Sequence, residues 1–226
     1  MPLEIELKLS FPEEALPALL RHPLIAAAPR EGEVALLDNT YYDTPALTLQ
    51  AHKIALRLRQ QGAETLQTVK CAAPSHGGLA QRPEWERPWQ GQFDFSAIDD
   101  PAAAGLLARV RDELVPVFST RFRRDTRRLQ PRDGVCILAM IDTGAVVAGA
   151  RTTPIFELEL ELAAGETDDL RRLAGELRKT LPLVPEDVSK AERGYRLLFR
   201  PENGLARLST DVERHAANRD ACPRHD

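Results

Sequence analysis

The chain has 226 residues, 43% of them hydrophobic and 28% charged, with a formal net charge of -4 and an isoelectric point near 5.8. That apolar content builds a core, which excludes wholesale disorder, and the acidic balance excludes a general nucleic-acid binder, which carries a basic excess. The start, Met1-Pro2-Leu3-Glu4, does not read as a secretory leader, and no apolar run approaches the roughly 20 residues that cross a bilayer; a soluble cytoplasmic protein is expected, with no membrane and no nucleic-acid partner.

In chain order, Glu4-Ile5-Glu6-Leu7-Lys8-Leu9 alternates charged and apolar residues and reads as a strand. Pro12 to Ala28 reads as a bent helix or helical hairpin, limited by Pro17 and Pro23. Glu33 to Tyr42 is a strand ending in the turn Asp43-Thr44-Pro45, and Ala46 to Ala51 a short helix or loop. Lys53 to Gln61 and Thr65 to Ala72 form a hairpin about Gln61-Gly62-Ala63, followed by a loop at Pro74 to Gly78 and a strand from Ala80 to Pro88. Phe93 to Arg111 is helical in part. Strands return at Pro116 to Leu129, Val135 to Thr143, Val146 to Ala148 and Pro154 to Ala163. Asp168 to Leu181 is an amphipathic helix capped by Thr167, and Ser189 to Phe199 a last helix capped by Ser189. Residues 1–200 are expected to form one domain, and the polar, weakly periodic residues 201–226 a flexible tail.

Three cysteines (Cys71, Cys136, Cys222) and five scattered histidines show no zinc spacing. Cys71 and Cys136 read as small buried hydrophobes in a reducing compartment. There is no Gly-x-x-x-x-Gly-Lys phosphate loop, no Gly-x-Ser-x-Gly elbow and no paired nucleophile and base.

What the sequence does carry is segregated charge. Side chains alternate between strand faces, so Glu4, Glu6 and Lys8 share one face, and Glu157, Glu159 and Glu161 of Phe156-Glu157-Leu158-Glu159-Leu160-Glu161-Leu162 share another. Same-face neighbours lie roughly 7 Å apart, twice the rise per residue, so such a column needs opposite charge across from it. Arg57 and Arg59 stand opposite Leu56 and Leu58 in parity, while Arg82, Glu84 and Glu86 project together away from Trp85. In Arg121, Arg123, Arg124, Arg127 and Arg128 the density defeats a parity assignment. One such strand alone is an ordinary half-buried strand with a solvated face. Many hairpin-linked strands together suggest an antiparallel sheet closing on itself, with helices over its apolar outside and the charges within. Carboxylate columns suit Mg²⁺ or Mn²⁺, and Arg/Lys columns suit a phosphate chain.

These segments resemble the CYTH superfamily of triphosphate tunnel metalloenzymes, most of all its bacterial inorganic triphosphatases. The carrying motifs are Glu4-x-Glu6-x-Lys8, Tyr41-Tyr42-Asp43-Thr44-Pro45, Leu56-Arg57-Leu58-Arg59, Lys70, Gly78-Leu79-Ala80-Gln81-Arg82-Pro83-Glu84, Phe118-Ser119-Thr120, Glu157 to Leu162 and Ser189-Lys190-x-x-Arg193-Gly194-Tyr195, spanning residues 2 to 198. The resemblance implies an α+β protein, an eight-stranded antiparallel closed β-barrel forming a tunnel with a polar, charged lumen and flanking helices. It implies metal-facing carboxylates at Glu4, Glu6, Glu159 and Glu161, assisted by Asp142 and Glu157. It assigns phosphate contacts to Lys8, Arg57, Arg59, Lys70, Arg82, Arg124, Lys190 and Arg193, with Arg123 the rival of Arg124. Family members often carry Glu where this chain has Leu138, and an aromatic residue where it has Arg128, the latter expected on the barrel exterior. Relatives of the subgroup often continue into a helical CHAD domain, which this chain stops short of.

The resulting expectation is Mg²⁺- or Mn²⁺-dependent hydrolysis of inorganic triphosphate, or another linear triphosphate, to diphosphate and phosphate by a monomer or homodimer. Glu4, Glu6 and Lys8 are its catalytic residues. Thiamine triphosphate hydrolysis, cyclic-nucleotide formation from ATP, and polyphosphate binding without cleavage are the alternatives; aromatic residues, at 5% of the chain, are scarce for an organic substrate.

Overall fold

The structure, a computed structural model, describes residues 3–199; the expected tail, with Cys222, lies outside the described residues. In chain order the elements are β1 (Leu3–Ser10), α1 (Leu16–Arg21), α2 (Pro23–Ala26), β2 (Ala35–Asp43), α3 (Thr48–Ala51), β3 (Ile54–Gln61), β4 (Glu64–Cys71), β5 (Ser75–His76), β6 (Leu79–Pro88), α4 (Pro101–Val110), β7 (Val115–Leu129), β8 (Cys136–Ala148), β9 (Arg151–Ala164), α5 (Thr167–Arg178), β10 (Val184–Pro185) and α6 (Lys190–Leu198).

Around the sheet the order is β1-β9-β8-β7-β2-β3-β4-β6, and β6 pairs again with β1, so eight antiparallel strands close into a barrel. The two-residue strands β5 and β10 hang on β6 and β1. Closure removes the open edges that an alternating sheet of this length would present.

The apolar strand faces point outward and are covered. Leu7, Leu9, Ile137, Ala139, Ile141, Leu158 and Leu160 pack under α1, α2 and α5, which contribute Leu19, Ile25, Leu170, Leu173 and Leu177. On the opposite wall Leu56, Val69 and Trp85 meet Leu49 of α3 and Leu106 and Leu107 of α4. Each such leucine, once buried, contributes about 1.5–3 kcal/mol. Two outer cores thus stabilise the barrel without apolar filling along its whole bore, which is the inversion expected from the alternation.

The bore is not charged throughout, however. At one end Leu37, Tyr41, Phe118, Phe122, Val146, Ala148 and Ile155 form a third core with Tyr195 and Leu197 of α6. Tyr41 stacks on Phe118 with ring centroids 4.6 Å apart, and Tyr195 meets Phe118 edge-on at 5.0 Å. Helix α6 therefore closes that end as an apolar plug.

Local corrections have local causes. The segments expected as two strands, Val135 to Thr143 and Val146 to Ala148, are one continuous β8. Gly144 reads as a break, yet it lies opposite Phe122 in register, and a Cβ there would stand 2.6 Å from that of Phe122. The glycine makes room for the β7 backbone at Arg121 and Phe122 instead of ending the strand. Glu166, not Thr167, caps α5, and its N–H donates to the Asp169 carboxylate at 3.0 Å. Cys71 and Cys136 are half-buried, not fully buried.

Candidate active site in the charged tunnel

The middle of the barrel encloses a cavity of about 760 Å³. Its wall includes Glu4, Glu6 and Lys8 from β1, Arg57 and Arg59 from β3, Lys70 from β4, Arg82 from β6, Arg124 from β7, Glu159 and Glu161 from β9, and Lys190 at the start of α6. Eleven side chains read from the sequence as site residues are thus brought together from seven elements. Arg123 is exposed, whereas Arg124 faces inward, which decides between the two. Asp142 and Glu157 are wholly buried behind the wall, and Arg193 reaches back to Glu157 and to the carbonyl oxygen of Pro154.

Strand register explains how the charges meet. Glu4 lies opposite Arg82, and Lys8 opposite Glu159. Lys70 donates to Glu4 at 2.8 Å, and the Arg82 guanidinium bridges Glu4 at 2.8 Å and Glu6. The Arg124 fork holds Asp142 at 2.7 and 2.6 Å and also reaches Glu159 at 2.6 Å. Lys8 donates to the carbonyl oxygen of Val188 at 2.7 Å, just ahead of α6.

Two cross-strand pairs are of like charge. Asp142 lies opposite Glu157, and Glu6 opposite Glu161. Like charges directly across a ladder repel. The first pair is neutralised by Lys190, Arg124 and Arg193. In the second, Glu6 has Arg82, but no cation among the described residues lies within ion-pair distance of Glu161. The titration follows. Burial and the nearby Glu159 raise the Glu6 pKa, and burial and Glu4 raise that of Glu161. For Glu4 burial acts in the same direction, but Lys70 and Arg82 overcome it and hold the carboxyl at about 2. Glu159 is buried too, yet Lys190 and Arg124 keep it well below the usual carboxylate range. Burial lowers Lys8 to about 8 despite Glu159 and Glu6.

The cations on the far wall are underused. Arg57 is buried, stands 3.8 Å from Glu84, and its Nε has no hydrogen-bond partner. Arg59 donates to Asn39 at 3.0 Å and lies 4.0 Å from Glu86; burial, with Arg57 beside it, lowers its pKa to about 10. A row of under-bonded guanidiniums on a cavity is an anion-binding surface. Opposite it stands a carboxylate set whose oxygen donors suit a hard divalent cation.

Sequence reasoning left Tyr41, Thr68, Glu84, Glu86, Phe122 and Met140 out of the site, yet all line the cavity. Glu84 and Glu86 share Arg82's parity, and Thr68 that of Lys70, so the signal was present for those three. Arg128 corrects an expectation: it lies opposite Leu138 on the face that carries Arg124, and at the rim it reaches Glu31 and the Cys136 sulfur. The Leu138 position likewise offers no carboxylate beside Glu161, its partner in register.

A closed eight-stranded barrel with a two-signed charged bore defines a tunnel protein, and comparison agrees. Residues 2–195 match the CYTH domain, and the chain belongs to that family. It is 32% identical over 203 residues to an inorganic triphosphatase from Haemophilus influenzae, a match that covers 86% of this chain and 54% of that protein. The chain therefore spans about half the length of the curated relative it matches. Among solved structures it resembles a candidate adenylyl cyclase from Hippeastrum with a dominant triphosphatase activity (TM-score 0.63, 23% identity, 88% of this chain and 98% of that one). It also resembles a Pyrococcus horikoshii protein at TM-score 0.51 and 19% identity, covering 85% of this chain and 98% of the other. No helix among the described residues is long and apolar enough to cross a membrane.

Proposed function

We propose that the tunnel hydrolyses a linear triphosphate, inorganic tripolyphosphate first, to diphosphate and phosphate with the help of Mg²⁺ or Mn²⁺. The observation that carries this reading is the under-neutralised Glu6–Glu161 pair across the cavity from the under-bonded Arg57 and Arg59. One of these sets calls for a cation and the other for an anion, in one cavity. Charge balance points the same way. In and behind the wall, nine carboxylates (Glu4, Glu6, Glu84, Glu86, Asp142, Glu157, Glu159, Glu161 and Glu192) face ten cations (Lys8, Lys53, Arg57, Arg59, Lys70, Arg82, Arg124, Lys190, Arg193 and Arg196), which leaves the bore close to neutral. A polyphosphate entering such a bore brings excess negative charge, which small divalent ions entering with it offset.

In this reading Glu4, Glu6, Glu159 and Glu161 would hold the metal. A bound divalent ion supplies charge neutralisation on phosphoryl oxygens and a more acidic water. The rest falls to this chain's own side chains. Arg57, Arg59, Lys70, Arg82 and Arg124 bind and orient the phosphate chain. Lys8, opposite Glu159, stabilises charge developing on the transferring and leaving groups. The apolar plug of α6 closes one end of the bore and limits water there.

The 32% identity to an inorganic triphosphatase supports the substrate class; the likeness to an adenylyl cyclase candidate is one of fold and makes ATP the natural second substrate to assay. The test is phosphate release from tripolyphosphate, thiamine triphosphate and ATP, each with Mg²⁺ and with Mn²⁺. Rapid turnover of tripolyphosphate, with a loss of at least about 100-fold in Glu6→Gln, is expected. Tight binding of tripolyphosphate without turnover would retire the hydrolase reading in favour of a polyphosphate-binding module.

A further inference from the structure

The Lys190 ammonium sits between Glu157 at 2.6 Å, Glu159 at 2.7 Å and Asp142 at 2.8 Å, and it is 93% buried with only 7% of the side chain accessible. An ammonium has three N–H donors, and here each has a carboxylate, which leaves none for a phosphate. Its open side lies over the Phe122 ring, 5.0 Å from the centroid. The three acids are also the one group among the described residues whose oxygens, all within 4.8 Å of one another, have the spacing of a cation site. Two of them, Asp142 and Glu157, form a like-charge pair across the β8–β9 ladder, as Glu6 and Glu161 do across β1–β9. The barrel thus has two repelling carboxylate pairs, of which one holds a lysine and the other has no cation of its own at Glu161.

We propose that Lys190 is the resident cation of the Asp142–Glu157–Glu159 group, a side chain standing where a divalent ion would otherwise bind, so that metal is confined to the Glu4–Glu6–Glu161 side. The inference rests on the metal-dependent reading above and deepens it. It also changes the roles read from sequence. Asp142 and Glu157 become positioning residues that hold Arg124, Lys190 and Arg193; Glu159, paired with Lys190 and Arg124, leaves the set of metal-holding carboxylates named above; and Lys190 becomes a fixed internal charge instead of a phosphate ligand. Because the lysine belongs to α6, its ion pairs also tie the plug into the bore (Glu157 is anchored to both Lys190 and Arg193).

The experiment is a titration of the full chain with Mn²⁺ alone, without phosphate, followed by electron paramagnetic resonance of free Mn²⁺ and by anomalous scattering from Mn²⁺-soaked crystals. Lys190→Ala is expected to bind one more equivalent than the unsubstituted chain, and Lys190→Ala/Glu157→Gln to lose it again. In the unsubstituted background, Glu157→Gln and Asp142→Asn are expected to change Mn²⁺ affinity less than twofold, while Glu6→Gln weakens it at least tenfold. An unchanged Glu6→Gln would fail the metal reading itself, separately from the lysine's role. An anomalous peak between Asp142 and Glu157 in the unsubstituted protein, or a folded Lys190→Ala with no added equivalent, overturns the proposal. Should Lys190→Ala not fold, the two single carboxylate variants and the crystal decide it: a tenfold loss of Mn²⁺ affinity in either variant also overturns it.

Discussion

Glu6 and Glu161 are the residues on which stability and chemistry pull in opposite directions. Both face the cavity, both are pushed toward protonation by burial and by neighbouring acids, and their register sets them directly opposite each other. A carboxyl whose pKa is raised on folding binds its proton more tightly in the folded state. It therefore favours folding below its unfolded pKa of about 4.3 and loses that contribution as pH rises toward its folded value. At neutral pH, in the absence of metal, the ionised pair is a cost. Glu161→Gln is accordingly expected to raise, not lower, the melting temperature of the metal-free protein at pH 7, with the gain vanishing near pH 4. Differential scanning calorimetry across that range checks it, and a lower melting temperature at pH 7 contradicts the account. The same substitution should depress triphosphate turnover, since functional carboxylates are held at the expense of stability.

Among the elements, α6 has the most to do and the least room in which to do it. It supplies Lys190, closes the bore with Tyr195 and Leu197, and packs so closely that a Cβ on Gly194 would fall 2.1 Å from the Phe118 ring. Its second anchor is the Tyr195 hydroxyl, which donates to Asp43 at 2.8 Å. The same buried carboxylate accepts the backbone N–H groups of Thr44, Leu49 and Gln50 at 2.7 to 2.9 Å, and so knits the end of β2 to α3 and to the plug. Tyr195→Phe removes one hydrogen bond to a buried carboxylate and should cost about 1.5–3 kcal/mol in chemical denaturation. Gly194→Ala should cost more and reduce kcat/KM, because α6 must withdraw from Phe118 and take Lys190 with it. A helix was legible at Ser189 to Phe199, as was its Ser189 cap, whose hydroxyl accepts from the Glu192 N–H. Its destination inside the barrel was not, because an amphipathic pattern names an apolar face without naming the surface that covers it.

For the molecule as a whole, the governing quantity is the charge balance of the bore. A near balance of acids and bases makes the tunnel tolerable, and it makes it a poor site for either a lone polyanion or a lone cation. Metal and triphosphate should therefore bind with positive coupling. Since a ligand that binds only the folded state stabilises it by mass action, tripolyphosphate with a non-activating divalent ion should raise the melting temperature more than the sum of the two separate shifts. Thermal scans with each ligand alone and with both measure this directly. Additive shifts would mean that the two do not meet in the tunnel.

Alternation along β1, β3, β6 and β9 was enough to state which side chains share a face, because a strand's period of two admits no other arrangement. Together with the hairpin-linked strands, that pattern pointed to a closed sheet with its charges turned inward, while the count of eight strands and most of the cavity wall came from the family resemblance. Alternation has no sense of inside and outside, nor of which strand lies across from which. Glu6 facing Glu161, Arg124 prevailing over Arg123, and Lys190 arriving among three acids 31 or more residues away in the chain all depend on ladder register and on where a helix docks. Those are set by how two outer cores and one apolar plug pack together, a balance summed over the entire fold and carried by no single segment.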